Sequence, residues 1–251
     1  MRKALLTTLF LSAAVPAVAQ ETTPPAEAPA AEAPAAEAAA AAPAQALSQE
    51  QIAAFNQAVA DFTAGQQAQQ AGDNATALAK YDAALPAIRD VVKTQPGKIE
   101  NVNFIANALY AAAAANAALQ KLDAVAPLYE ESLPYWRQVV EAKPADAQSR
   151  GVLTGILIQL GNFKLGNQDK AGAAPLYAEA IPLARQAVAQ QPTPASRNLL
   201  LAALIGASQT SEDAALKAEA ATMSKTMIAN GTVDAVNKPS AQILAQSAKA
   251  G

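Results

Sequence analysis

Arg89, Arg137 and Arg185 stand 48 residues apart, each three residues after a proline: Pro86, Pro134 or Pro182. A guanidinium held beside a helical proline has three chemical uses. It can donate to a carbonyl that the proline leaves without a partner, pair with a carboxylate on a neighbouring element, or join others in a basic ladder for an anion. The released carbonyls are those of Asp82, Glu130 and Ala178, four residues before each proline. Helical side chains lean back toward the N-terminus, which brings each arginine toward them. Because the arginine column travels with the proline column, a structural role is expected, through those carbonyls or through bonds to the adjacent repeat.

Little other chemistry is available. The chain has no histidine and no cysteine, which removes imidazole and thiol catalysis, zinc sites built on those ligands, and disulfides. No phosphate-cradling loop, no GxSxG and no calcium loop of alternating acids occurs. Glu130 and Glu131 are adjacent, so on a helix their side chains diverge and read as a solvated face. Ser211-Glu212-Asp213 reads as a helix start with Ser211 as its cap. The formal charge of −3 and a pI near 5.1 give no basic face for phosphates. The expectation is a non-catalytic chain with no cofactor, no metal and no nucleic-acid partner.

The elements that carry the arginines belong to a repeat. Tyr81, Tyr129 and Tyr177 share the 48-residue spacing, as do Val92, Val140 and Val188 and Pro96, Pro144 and Pro192. Tyr81, Leu85, Ile88 and Val92 recur at i, i+4, i+7 and i+11, one apolar stripe of a helix. Trp136 occupies the column of Ile88 and Ala184 and predicts the thickest packing in the middle copy. Second helices are expected over about 74–95, 122–143 and 170–191, and first helices over about 49–71, 99–119 and 147–166. A decayed fourth pair is expected at about 195–209 and 211–229, closed by Asn230-Gly231. Each in-helix proline predicts a bend rather than a break, because Leu85, Leu133 and Ile181 would be poor N-caps. Abundant alanine and only 4% aromatic residues agree with an all-α fold.

Residues 1–19, "MRKALLTTLFLSAAVPAVA", have a basic start, a short apolar run and an A-x-A end, and read as a secretory signal peptide cut after Ala19. The run is too short for a membrane span, so the exported chain is expected to be periplasmic without a transmembrane anchor. Residues 20–46 repeat E-A-P-A-A and read as a disordered linker. The repeat domain is expected over 47–230, with units of about 49–96, 97–144, 145–192 and 193–230. Residues 231–251 form a tail or a short capping helix at about 239–249.

Helix pairs with small–large–small columns resemble the tetratricopeptide repeat. Gly65 and Gly161 match the first-helix glycine, Ala113 stands in the same column, and Ala77 and Ala173 match the first small position of the second helix. Tyr81, Tyr129 and Tyr177 match the bulky aromatic, and Ala84, Ser132 and Ala180 the next small position. "QAGDNATALAKYDAAL", residues 70–85, matches best. The unit is 48 residues rather than the family's 34, and the early first-helix aromatic is replaced by Asp61, Leu109 and Leu157. The resemblance implies antiparallel helix pairs in an α-solenoid or compact superhelix. It also implies a peptide-binding groove lined by Phe62, Gln66, Gln69, Asn107, Tyr110, Ile158 and Asn162, an amide-rich set without a basic clamp. Taken singly, Phe62, Tyr110 and Ile158 also fit a core. The functional expectation is a protein- or peptide-binding module; the alternative is an envelope component that packs as an oligomer without a peptide groove.

Overall fold

A computed structural model describes residues 45–247. The expected leader, and the expected linker up to residue 44, lie outside the described residues.

The described chain is all α-helical, and its helices pack as consecutive antiparallel pairs. The first helices are α1 (Gln49–Gln70), α3 (Ile99–Ala118), α5 (Ala147–Gly166) and α7 (Pro194–Thr210). The second helices are α2 (Asn74–Thr94), α4 (Val125–Ala142), α6 (Lys170–Gln190) and α8 (Ala214–Ala229), and α9 (Lys238–Ser247) follows. Gly72 at φ 82°, Gln120 at φ 58° and Gln168 at φ 65° hold the left-handed position after α1, α3 and α5. At each, two backbone N–H groups bond back to orphan carbonyls; after α5 these are Gln168 to Leu165 and Asp169 to Lys164. One turn geometry therefore repeats, although only the first copy uses glycine. Gly231 at φ 66° closes α8 in the same way, where Asn230-Gly231 predicts a stop.

Asp73 and Asp169 cap α2 and α6 by accepting from the amides of Thr76 and Gly172. The same column holds Lys121 in the middle copy, which gives no side-chain cap. There the chain passes through a 3-10 turn at Leu122–Ala124, and α4 begins only at Val125. The cap of α8 is Asp213, whose carboxylate accepts from Ala215 and Leu216, and not Ser211. Ser211 instead ends α7, and its hydroxyl accepts from the Asp213 amide, because the acid reaches two orphan donors and the serine only one.

Pro86, Pro134 and Pro182 lie inside unbroken helices, on exposed positions. The carbonyls they release, on Asp82, Glu130 and Ala178, belong to exposed residues where water can bond them.

Two apolar clusters form most of the core. Ala58, Tyr81, Leu85, Ile88, Ile105 and Leu109 join α1, α2 and α3. Trp136, Leu153, Leu157, Tyr177, Ile181 and Leu204 join α4 through α7. The stripe read from the sequence at Tyr81, Leu85, Ile88 and Val92 is buried throughout.

Candidate functional site

The tyrosine column decides what the first helices have left to offer. Tyr81 and Tyr177 are fully buried, each laid over a glycine of its paired first helix. A Cβ on Gly65 would come within 2.6 Å of the Tyr81 ring, and one on Gly161 within 2.7 Å of the Tyr177 ring. Tyr177 is also pressed by Gly206 of α7, where a Cβ would lie 2.1 Å from the ring. The Tyr81 hydroxyl donates to Gln69 Oε1 at 2.8 Å, and the Tyr177 hydroxyl to Asn162 Oδ1 at 2.7 Å. Burial pushes the Tyr81 phenol up to about 12 and raises that of Tyr177 as well.

The middle copy is built differently. Ala113 replaces the glycine, and Ala114 and Ala117 stand where the other copies carry the amides Asn162 and Gln69. Tyr129 is only half-buried, stacks on Tyr110 at 6.0 Å, and its hydroxyl makes no hydrogen bond among the described residues. Trp136 packs edge-on to Tyr110 at 6.4 Å and is buried, with its indole N–H lacking an acceptor among the described residues.

The seven residues expected to line a groove are largely drawn into this packing. Phe62 is half-buried between Tyr81 and Phe104, at 5.5 and 5.1 Å. Tyr110 stacks on Tyr129, and Ile158 is buried. Gln69 and Asn162 serve the tyrosine hydroxyls, with Asn162 still exposed. Asn107 Nδ2 donates to the carbonyl and side chain of Asn103. Gln66 is half-buried.

The arginine column points outward and joins repeats. Arg89 makes a two-pronged pair with Glu131, at 2.6 and 2.8 Å, and Arg137 does the same with Glu179, at 2.8 and 2.6 Å. Arg185 reaches Glu219. Each bridges one second helix to the next, and the guanidinium is spent on a carboxylate rather than on the carbonyls of its own helix. Glu131 and Glu179 themselves stand 48 residues apart, with Ala83 in the first copy, which has no preceding arginine to meet. That column is the sequence signal for the partner. Glu130 and Glu131 do diverge, but they are not a bare solvated face: Glu130 takes Lys164 at 3.3 Å, and Glu131 takes Arg89.

The backbones of α1 and α3, and of α5 and α7, come close together, while successive second helices stand farther apart and are bridged by these long side chains. The row of first helices is termed the inner row, and the row of second helices the outer row. Three of the first helices keep a partly exposed stripe: Asn103, Asn107, Ala111 and Ala114 on α3, Gly151, Gly155, Gln159 and Asn162 on α5, Leu199 and Ala202 on α7; Ala111, Leu199 and Ala202 also pack against the core. The stripe is uncharged. On these helices Arg150 is turned into the core, where it donates to Gln190 Oε1 and the Pro144 carbonyl, and Lys164 is paired outward. Glu100 and Arg197 sit in the first turns.

A shallow cleft beside α2 is lined by Ala75, Leu78, Ala79, Asp82, Leu119 and Lys121. Among the described residues no carboxylate cluster could hold a metal ion, and no helix is long and apolar enough to cross a membrane.

No family model matches the chain, and no curated protein matches it in sequence. One solved structure that aligns with it is named "MamA RS-1 ArsTM double mutant". The alignment covers 78% of this chain and 98% of that one, at 16% identity and a TM-score of 0.36.

Proposed function

We propose that the chain is an exported, non-catalytic helical-repeat scaffold of tetratricopeptide type, which holds a partner protein or peptide against its inner row of helices. Residues 1–19 would direct it to the periplasm, and residues 20–46 would act as a spacer ahead of the repeats. One observation supports this reading most. Three arginine–glutamate pairs tie each second helix to the next, whereas the partly exposed stripe of α3, α5 and α7 sets Gln159, without a hydrogen bond among the described residues, among small residues. A free amide among small residues offers a partner both a donor and an acceptor.

A photo-reactive residue at Gln159 on the inner row, compared with one at Asp82 on the outer row, tests this. Crosslinks to another protein are expected from position 159 and not from 82. The reverse pattern, or none from either, overturns the proposal.

The reading as a self-assembling envelope component keeps one observation in its favour. Val236 and Ile243 are exposed at the C-terminal end of the array, 39% and 69% respectively. A molecular mass by light scattering that is a multiple of the monomer, and that returns to one copy on Ile243→Glu, would favour it.

A further inference from the structure

The junction between the second and third copies of the repeat differs from the next junction on its inner side. The backbones of α3 and α5 stay apart there, whereas those of α5 and α7 come close together. What joins the two copies is the packing of α4 on α5, over a shorter stretch of backbone than that of α6 on α7. Trp136 on α4 and Leu153 and Leu157 on α5 belong to one apolar cluster along this contact. Two polar ties pin it near its ends. Glu130, early in α4, takes Lys164, late in α5. Arg150, early in α5, is buried and donates to the Pro144 carbonyl just beyond α4.

The outer side is held in another way. Among the described residues the hydrogen-bonded link from α4 to α6 is Arg137 with Glu179, two-pronged at 2.8 and 2.6 Å. Their side chains keep 47% and 33% of their surface in solvent, so the pair adds little to stability and salt screens it. Its two parallel bonds still fix how far α4 stands from α6. The junction therefore has a pinned contact in the middle, a gap on one side and a breakable tie on the other.

We propose that this junction is a hinge: the third copy turns on the second about the α4–α5 contact, and Arg137–Glu179 is the strap that sets the angle. With the strap released, α6 swings away from α4 and α5 closes toward α3. With it in place, the strip between α3 and α5 is held open. The next junction has no such freedom, because α5 already meets α7 on the inner side; Arg185–Glu219 there spans two helices whose spacing is fixed without it. The hinge goes beyond the scaffold reading and is measured on the chain alone, so the two fail separately.

The chain has no cysteine, so introduced pairs accept spin labels cleanly, and dipolar spectroscopy reads the distance between them. Glu141→Cys with Ala189→Cys spans α4 and α6, and Asn107→Cys with Gln159→Cys spans α3 and α5; all four positions are at least partly exposed. Adding Arg137→Ala should lengthen the outer distance and shorten the inner one, each by about 1–2 Å, with a broader distribution. About 1 M salt should do the same to the chain that keeps Arg137. The exchange Arg137→Glu/Glu179→Arg should restore both distances. Arg185→Ala should leave the distance between labels at Ala189→Cys and Lys225→Cys unchanged. Should Arg137→Ala lower the melting temperature, the salt series carries the test. Outer distances that hold in both Arg137→Ala and high salt overturn the hinge. So does lengthening on both sides, because the copies then part rather than turn. Failure of the exchange to restore the distances, or an equal lengthening at the next junction on Arg185→Ala, overturns it as well.

Discussion

The outer copies and the middle copy of the repeat solve the same packing problem in two ways. In the first and third, a glycine clears a seat for the tyrosine, an amide accepts its hydroxyl, and an aspartate caps the second helix. In the middle copy all three are replaced at once, by Ala113, by Ala114 and Ala117, and by Lys121. Tyr129 responds by stacking on Tyr110, half out of the core, and Trp136 packs beside them. The lesson is that a residue type repeated in every copy does not guarantee a repeated seat. The seat is set by the absence of a Cβ on the facing helix.

The largest effect should come from converting one solution into the other. Gly161→Ala places a methyl within 2.7 Å of a ring that Gly206 pins from the far side. Overpacking of this kind costs about 1–3 kcal/mol, and losing the bond to Asn162 costs about 1 more, against about 1 kcal/mol regained in helix propensity. A net loss of about 2 kcal/mol in denaturant unfolding is expected. Ala113→Gly should not be its mirror image. It gives Tyr129 a seat but no amide acceptor, and it weakens α3, so a loss of about 1 kcal/mol is expected. A gain in stability on Ala113→Gly would break the comparison.

Much of this is legible in the sequence, and the reason is periodicity. A gap-free 48-residue spacing fixes tyrosine, proline and arginine columns without any tertiary information, and the helices begin and end within a residue or two of their expected places, apart from the starts of α4 and α8, each three residues later. What stays hidden depends on contacts between columns. The glutamate column of Glu131 and Glu179 is visible as a spacing, but only the fold shows that it meets Arg89 and Arg137, 42 residues earlier in each case, and not the carbonyls beside the prolines. Gln120 and Gln168 in left-handed backbone carry no glycine to announce them. Gly65 and Gly161 share a repeat column that marks a small position, but the second ring contact at Gly206 and the open space beside Gly151 appear only in the packing.

Alkaline pH offers a second probe of the same seats. Burial raises the phenols of Tyr81, Tyr129 and Tyr177 above the usual value near 10, that of Tyr81 to about 12. A raised acid holds its proton more tightly in the folded chain. Its contribution is therefore complete below the unfolded value and is lost as pH climbs from about 10 toward 12. Denaturation midpoints measured from pH 8 upward should hold and then fall. In the Tyr81→Phe/Tyr177→Phe double variant the fall should be shallower, relative to that variant's own midpoint at pH 8. An equally steep fall would mean that these rings are not sealed in the way their glycines suggest.

The smallest effect concerns the start of α4. Asp73 and Asp169 accept from amides three residues on, at 3.0 and 2.8 Å, whereas Lys121 places a cation at the positive end of a helix and caps nothing. Lys121→Asp should restore the bond and extend regular helix toward residue 122, raising stability by about 1 kcal/mol, or about 2–4 °C in melting temperature. The outcome also separates two causes of the middle copy's divergence. If the aspartate stabilises and Tyr129 fluorescence and its stacking on Tyr110 are unchanged, the 3-10 turn follows from the missing cap alone. If the aspartate gives no gain, the displaced Tyr129 one turn further along is holding the helix start out of register, and cap and seat act as one feature.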